Sequence, residues 1–217
     1  MRYDLVIFDL DGTVLNTLDD LTDAVNYAMD KHGFPVHTTE DVRRFIGNGV
    51  ARAIRLALPE GVSDETHAAA LADFKVWYSA HVNDRTRPYP GIPELLQALR
   101  DAGVKTAVNS NKMDTATQAL CAAHFPGLLD CVLGEKADIP KKPAPDGALM
   151  LIQKLGARPE RTLYVGDGDT DVLTAQNAGI DGAWVSWGFR KEEELAGLAI
   201  PRRFDSVEAL RCFILEG

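Results

Sequence analysis

Leu5-Val6-Ile7-Phe8 is apolar at every position and runs straight into Asp9-Leu10-Asp11-Gly12-Thr13. A strand without a polar position is buried on both faces, and such strands belong to parallel sheets covered by helices. Similar runs recur at Val104–Ser110 and Thr162–Asp167, with shorter ones near Cys131–Leu133 and Ala183–Ser186. Between them lie amphipathic stretches: Ile92–Arg100, with apolar residues at 92, 95, 96 and 99, then Asp114–Ala123 and Asp146–Leu155. This alternation predicts an α/β fold, a three-layer Rossmann-like core around a parallel sheet. Open sheets of this kind bind ligands at the carboxyl ends of their strands. Asp9, Ser110 and Asp167 fall at those ends.

Leu18–Asn83 breaks the rhythm and holds no convincing strand. Leu18, Leu21, Val25, Ala28 and Met29 mark one helical face, stopped by Gly33 and Pro35. Thr39 is placed to cap a helix through Val42 and Phe45, and Ser63 a longer one bearing Leu71, Phe74, Trp77, Tyr78 and Val82. The reading is an inserted helical cap, residues 17–84, between core segments 1–16 and 85–217. Hinges are expected near Val14–Thr17 and Asp84–Tyr89.

The net charge of −9 disfavours nucleic acid or an anionic membrane as partner. It leaves room for a small anionic substrate in a cleft of different local charge. No run approaches the roughly 20 apolar residues of a membrane helix. The apolar stretch in Met1–Leu10 is too short for a secretion signal. Cys121, Cys131 and Cys212 are odd in number and unevenly spaced, which fits a reducing cytoplasm and buried thiols. No sequence feature marks an obligate protein partner.

Asp9 and Asp11 leave an apolar strand together, and buried carboxylates need their charge offset. A hard divalent cation supplies that offset. Asp167, with Gly168-Asp169-Thr170-Asp171 behind it, is the candidate further ligand, and Asp171 a residue that orients it. All-oxygen ligands suit Mg2+, and no His/Cys cluster offers a zinc site. His32, His37, His67, His81 and His124 are read as non-catalytic. The Ser110 hydroxyl and neighbouring N–H groups can hold a phosphoryl oxygen. Lys142, between Lys141 and Pro143-Ala144-Pro145, is a cation on a stiff loop that can neutralise both an aspartate and a phosphate.

Taken in order, these segments resemble the haloacid dehalogenase-like hydrolase superfamily, in its phosphoglycolate phosphatase-like branch. Asp9-Leu10-Asp11-Gly12-Thr13 is similar to the first family motif, Ser110-Asn111-Lys112 to the second, Lys142-Pro143 to the third, and Gly166-Asp167 with Asp171 to the fourth. Tyr89-Pro90-Gly91 and Val185–Arg190 are also similar to segments of this branch. Asn16 stands where the family often has aspartate. The resemblance implies a C1-type helical cap and a small organic phosphate as substrate, with 2-phosphoglycolate the best match. It implies that Asp9 is the nucleophile, forming an aspartyl phosphate, and Asp11 the general acid and base. It further implies Mg2+ on Asp9, the Asp11 carbonyl and Asp167, and phosphate held by Ser110, Asn111 and Lys142. Asp171 and Asp169 would support the metal shell, the spacing favouring Asp171. Arg43, Arg44 and Asn48 are candidates for meeting a substrate carboxylate.

Rival readings are a β-phosphoglucomutase-like phosphosugar mutase, or a pyrophosphatase, nucleotidase or sugar phosphatase of the same superfamily. Thr13–Thr17 has no histidine for a mutase, and the complete acidic fourth motif argues against dehalogenation. A phosphate-responsive binding module is the non-enzymatic alternative; Asp11 and the large insertion favour turnover.

Overall fold

Strand β1 (Leu5–Phe8) is wholly buried, as a run without polar positions requires. It lies at the centre of the sheet, pairing in parallel with β4 (Lys105–Met113) on one side and β6 (Thr162–Gly166) on the other. Beyond these come β5 (Cys131–Glu135), β7 (Asp181–Val185) and the two-residue β8 (Arg203–Phe204). The order is β5-β4-β1-β6-β7-β8. This computed structural model describes residues 2–200 and 202–216.

The chain forms two compact units, Met1–Leu15 with Pro88–Gly217, and Asn16–Arg87. The two-residue strands β2 (Leu15–Asn16) and β3 (Arg87–Pro88) carry the chain across the boundary.

In the sheet unit, Leu5, Ile7, Ala107 and Tyr164 pack with Ala148, Leu151 and Ile152 of helix α7 (Asp146–Leu155) and Ala175 of α8 (Asp169–Ala178). Successive strand residues face opposite ways, so Val6 and Phe8 serve the other face. Helices α5 (Ile92–Asp101) and α6 (Asp114–His124) pack on β4, and α9 (Val207–Glu216) packs on α5. The architecture is the expected α/β core with flanking helices. Strand β4 runs past the expected end at Ser110 to Met113, with a shift in ladder register between Asn109 and Met113. Such an irregularity re-aims side chains at a strand end. Neither β8 nor α9 was anticipated. β8 is only two residues long.

The helical unit holds α1 (Leu18–Lys31), α2 (Thr39–Phe45), α3 (Val50–Ala57) and α4 (Asp64–His81). Leu21, Ala24, Val25, Ala28 and Met29 are the buried stripe of α1, and Ala70, Phe74 and Tyr78 that of α4. Ser63 caps α4 by accepting the Thr66 N–H. The cap of α2 is Thr38, one residue before the expected Thr39, in a reciprocal capping box with Asp41. Asp20 is buried, and its carboxylate accepts the Arg85 N–H at 2.9 Å, the Thr86 N–H at 2.8 Å and the Thr86 hydroxyl at 2.7 Å. The first turn of α1 and the last residues of the unit are thereby joined at one side chain.

Candidate active site

The register of the central strands levels the site. Phe8 lies opposite both Val108 and Val165, and the Asp9 N–H donates to the Val165 carbonyl at 2.9 Å. The next residues along these three strands are therefore Asp9, Asn109–Ser110 and Gly166–Asp167. After Asp9 the chain turns sharply: the Leu10 carbonyl faces the N–H groups of Thr13, Val14 and Leu15 at 3.3, 3.1 and 3.0 Å. Gly12 makes this turn with φ +88°, in the left-handed region that glycine favours.

Asp9, Asp167 and Asp171 are all buried and can present oxygens within 4.8 Å of one another. Lys142 faces them, its Nζ 2.7 Å from Asp9 Oδ1 and 2.7 Å from Asp171 Oδ1. Toward Asp171 this is a hydrogen bond. Toward Asp9 it is an ion pair at the same distance, and Lys142 is the cation that faces this buried oxygen. Three buried carboxylates opposite this ammonium are short of positive charge. Burial pushes the Asp9 carboxyl well above its ordinary range, Asp171 and Asp167 push it further, and Lys142 opposes them. Burial and Asp171 raise Asp167 to about 6, against the hydrogen bonds of Phe189 and Thr13. For Lys142, burial favours the neutral amine, but Asp171 and Asp9 outweigh it and hold the ammonium well above its usual range. Three buried carboxylates within 4.8 Å of one another, an all-oxygen donor set short of positive charge, fit a hard divalent cation.

Each member of this cluster is held from behind. Asp167 accepts the Thr13 hydroxyl at 2.9 Å on Oδ1 and the Phe189 N–H at 2.7 Å on Oδ2. Its own carbonyl accepts the Trp184 indole N–H at 2.7 Å. The segment that supplies Phe189 comes within touching distance at Gly188, where a Cβ would stand 2.3 Å from Asp167 Cβ and 2.4 Å from the Gly12 carbonyl oxygen. Asp171 Oδ2 accepts the Gly168 N–H at 2.9 Å, closing the first turn of α8. Asp169 is half-buried and turned toward Arg190, 4.0 Å away, apart from the three-carboxylate cluster.

On the β4 side, Ser110 is buried and its hydroxyl accepts the Lys112 N–H at 3.2 Å. The Asn111 side chain is committed to the Lys142 main chain, accepting its N–H at 2.9 Å and donating to its carbonyl at 3.1 Å. Asp11 is not in the carboxylate cluster. Its two oxygens lie 3.0 and 3.3 Å from the Nζ of Lys112, a pairing that residue types alone do not reveal. Thr13, Phe189 and Gly188 support the site from two segments, the turn after Asp9 and the stretch Val185–Arg190, and residue types alone do not mark them as supports.

The cap candidates lie in the helical unit. Arg43 is buried and bound in a fork to Glu40, Nε to Oε2 at 2.9 Å and Nη2 to Oε1 at 3.0 Å. Arg44 is exposed and also reaches Glu40, at 3.2 Å. The two arginines thus share one glutamate three and four residues upstream. Asn48 is half-buried in the turn that follows.

A parallel sheet whose strand ends assemble two aspartates from one loop, a serine, a lysine and a further acidic pair defines a hydrolase core of recognisable type. The family model for haloacid dehalogenase-like hydrolases matches residues 6–185. A phosphoglycolate phosphatase of Aquifex aeolicus is 30% identical over 98% of this chain and 99% of its own length. Phosphoglycolate phosphatase 1 of Pseudomonas aeruginosa is 34% identical over 88% of this chain and 72% of its own. A crystal structure from Lactobacillus delbrueckii subsp. bulgaricus, provisionally named a phosphoglycolate phosphatase, superposes with a TM-score of 0.95 at 37% identity, each chain covered in full. The chain belongs to the haloacid dehalogenase-like hydrolase family, in its phosphoglycolate phosphatase-like branch. It is an enzyme, a phosphoric monoester hydrolase with a cluster of buried aspartates at its centre. Among the described residues no helix is long and apolar enough to cross a membrane.

Proposed function

We propose that the protein is a Mg2+-dependent phosphatase of small organic phosphomonoesters, with 2-phosphoglycolate the first substrate to test. The observation that carries this reading is the position of Lys142 Nζ, 2.7 Å from both Asp9 and Asp171 in a buried cluster short of positive charge. The names of the relatives in Aquifex aeolicus and Pseudomonas aeruginosa support the substrate.

In this reading Asp9 attacks phosphorus, and the bond from phosphorus to the leaving oxygen breaks. Asp11 gives that oxygen its proton. Asp11, now a carboxylate, takes a proton from water as the water attacks the aspartyl phosphate, and the bond between phosphorus and Asp9 breaks. Lys142 and the Ser110 hydroxyl meet the transferring oxygens, where charge must be stabilised in the transition state. Lys142 also opposes the burial that would protonate Asp9. Asp9, the Asp11 carbonyl and Asp167 would hold Mg2+, which supplies further positive charge to the phosphoryl group when bound. Asp171 orients Lys142, and Asp169 is assigned no part beyond its contact with Arg190.

The helical unit is read as the cap, the part that selects the leaving group and excludes water. A small phosphorylated metabolite is the partner, and the cytoplasm is the proposed location, in keeping with free thiols at Cys121, Cys131 and Cys212.

The test is phosphate release from a panel of monoesters with and without Mg2+, in the wild type and in Asp9→Asn. Activity that requires both Mg2+ and Asp9, with 2-phosphoglycolate preferred by kcat/KM over glucose 1-phosphate and glucose 6-phosphate, is the expected result. A wild type that releases phosphate from no member overturns the phosphatase; full activity in Asp9→Asn overturns the nucleophile.

A further inference from the structure

Four carboxylates and two lysines meet at the strand ends, and the structure divides them unequally. Lys142 takes Asp9 and Asp171. Lys112 takes Asp11 across 101 positions of sequence. The Lys112 side chain is 2% exposed and that of Asp11 21%, so the ammonium is the buried partner and the carboxylate the one with access to solvent. Nζ lies 3.0 and 3.3 Å from the two Asp11 oxygens and thus faces the carboxylate as a whole.

The main chain of Lys112 is itself anchored. Its N–H donates to the Ser110 hydroxyl at 3.2 Å, and its carbonyl accepts the Thr117 hydroxyl at 3.3 Å. At Gly134 on β5 a Cβ would stand 2.8 Å from the Lys112 carbonyl oxygen, so the neighbouring strand closes against the same peptide. A lysine tethered at its backbone and dry along its stem has few places to put its charge. The carboxylate paired with it is confined in turn.

That confinement matters because three other carboxylates nearby are candidates for a cation. Without a partner of its own, the Asp11 carboxylate can swing into solvent or toward that cluster. We infer that Lys112 is a positioning residue that holds the Asp11 carboxylate at the strand ends, apart from the Asp9–Asp167–Asp171 cluster, in the orientation that activates water against the aspartyl phosphate. This rests on the reading of Asp9 and Asp11 given above. The ion-paired carboxylate seen here is the form the second chemical step uses: it accepts one proton from the attacking water while the bond from phosphorus to Asp9 breaks. Orientation counts heavily in such steps, since a small misplacement of a reacting group forfeits most of its advantage.

The experiment uses p-nitrophenyl phosphate with Mg2+ and the full-length Lys112→Met protein. p-Nitrophenolate departs without a proton, so kcat/KM on this substrate reports attack by Asp9 alone, whereas kcat includes breakdown of the aspartyl phosphate. In Lys112→Met, kcat is expected to fall ~100-fold, the scale of a positioned acid–base group, with kcat/KM within ~5-fold of wild type. A burst of p-nitrophenolate near one equivalent per site accompanies it. Asp11→Asn gives the same signature, and the double variant is no slower than the slower single, because the two residues act as a unit. Uptake of beryllofluoride with Mg2+, followed by 19F NMR, stays as in wild type and shows that the cluster around Asp9 is intact. The inference is overturned if kcat and kcat/KM fall together, if no burst appears, or if the losses of the two single variants multiply in the double. A Lys112→Met protein that no longer takes up beryllofluoride overturns it too, since Lys112 would then support the fold of the cluster. A wild type inactive on every monoester defeats the underlying reading instead.

Discussion

Asn111 grips Lys142 by its backbone, taking the N–H at 2.9 Å and giving a hydrogen to the carbonyl at 3.1 Å. The residue that carries the ammonium of the site is thus set by the amide of a residue 31 positions earlier, on the neighbouring strand end. Asn111→Ala removes both bonds and leaves two buried peptide groups unpaired. The expected cost is about 1–3 kcal/mol of stability, as for other unsatisfied buried groups. Activity should fall more than folding does, with kcat/KM down ~10-fold at a temperature where the variant is fully folded, because a displaced ammonium serves the transition state poorly. Denaturant melts and initial rates on the same preparation separate the two effects.

Asp9→Asn keeps the shape of the side chain and removes the nucleophile. Phosphate release should fall by ~10^3-fold or more. In metal-free buffer the same variant should melt no lower than wild type. Burial and the neighbouring Asp171 and Asp167 oppose the Asp9 charge, so its loss relieves repulsion while Lys142 keeps Asp171 as partner. Scanning calorimetry in EDTA checks this.

The metal-free protein should lose stability as pH rises from 3.8 toward 6. Asp167 titrates at about 6 when folded and near 3.8 when unfolded, so between those values the folded state holds a proton that the unfolded state has released. Stability falls with pH wherever the folded state binds more protons. The full span is worth up to roughly 3 kcal/mol for this one group. Mg2+ at 100 times its dissociation constant should add about 2.7 kcal/mol and flatten the slope. Urea midpoints across pH 4–7, with Mg2+ and with EDTA, measure both.

Gly188→Ala places a methyl group 2.3 Å from Asp167 Cβ and 2.4 Å from the Gly12 carbonyl oxygen, where neither neighbour is the free end of a flexible side chain. Overpacking of this kind costs about 1–3 kcal/mol. The displaced group is Asp167, so the affinity for Mg2+ should fall as well, read from the midpoint of a Mg2+ titration followed by thermal shift. A variant with wild-type Mg2+ affinity would show that the segment around Gly188 yields instead.

The core and the strand-end residues were legible because burial leaves a plain mark on sequence. Leu5–Phe8 has no polar position, and the first charge after it, Asp9, stands at the strand end. Lys142 and Asp167 follow the same logic on a stiff loop and a second apolar run. What remained hidden is pairing over distance. Nothing in the composition near Lys112 says that its charge is spent on Asp11, and nothing near Asn111 says that its amide belongs to Lys142. Arg43 is a different case, since Glu40 at i−3 is the spacing at which helical side chains meet. The same local spacing brings Arg44 to Glu40 at i−4. The capping box of Thr38 with Asp41 was also legible, one residue earlier than expected. At α9 the signal was small: Ser206 accepts the Ala209 N–H at 3.3 Å as a start mark, ahead of a stripe whose buried members are Leu210 and Ile214.

The carboxylate of Asp20 gives the helical unit the character of an exchangeable cassette. Its hydrogen bonds to Arg85 and Thr86 fasten the departing chain to the returning one within the unit itself. The spacing between the two ends therefore does not depend on what lies between them. Helices from α2 through the middle of α4 can drift in sequence or be replaced by another helical insert of different length, and the ends still meet at the same knot. Change can then be confined to the unit Asn16–Arg87 without disturbing the strand ends that carry the buried aspartates.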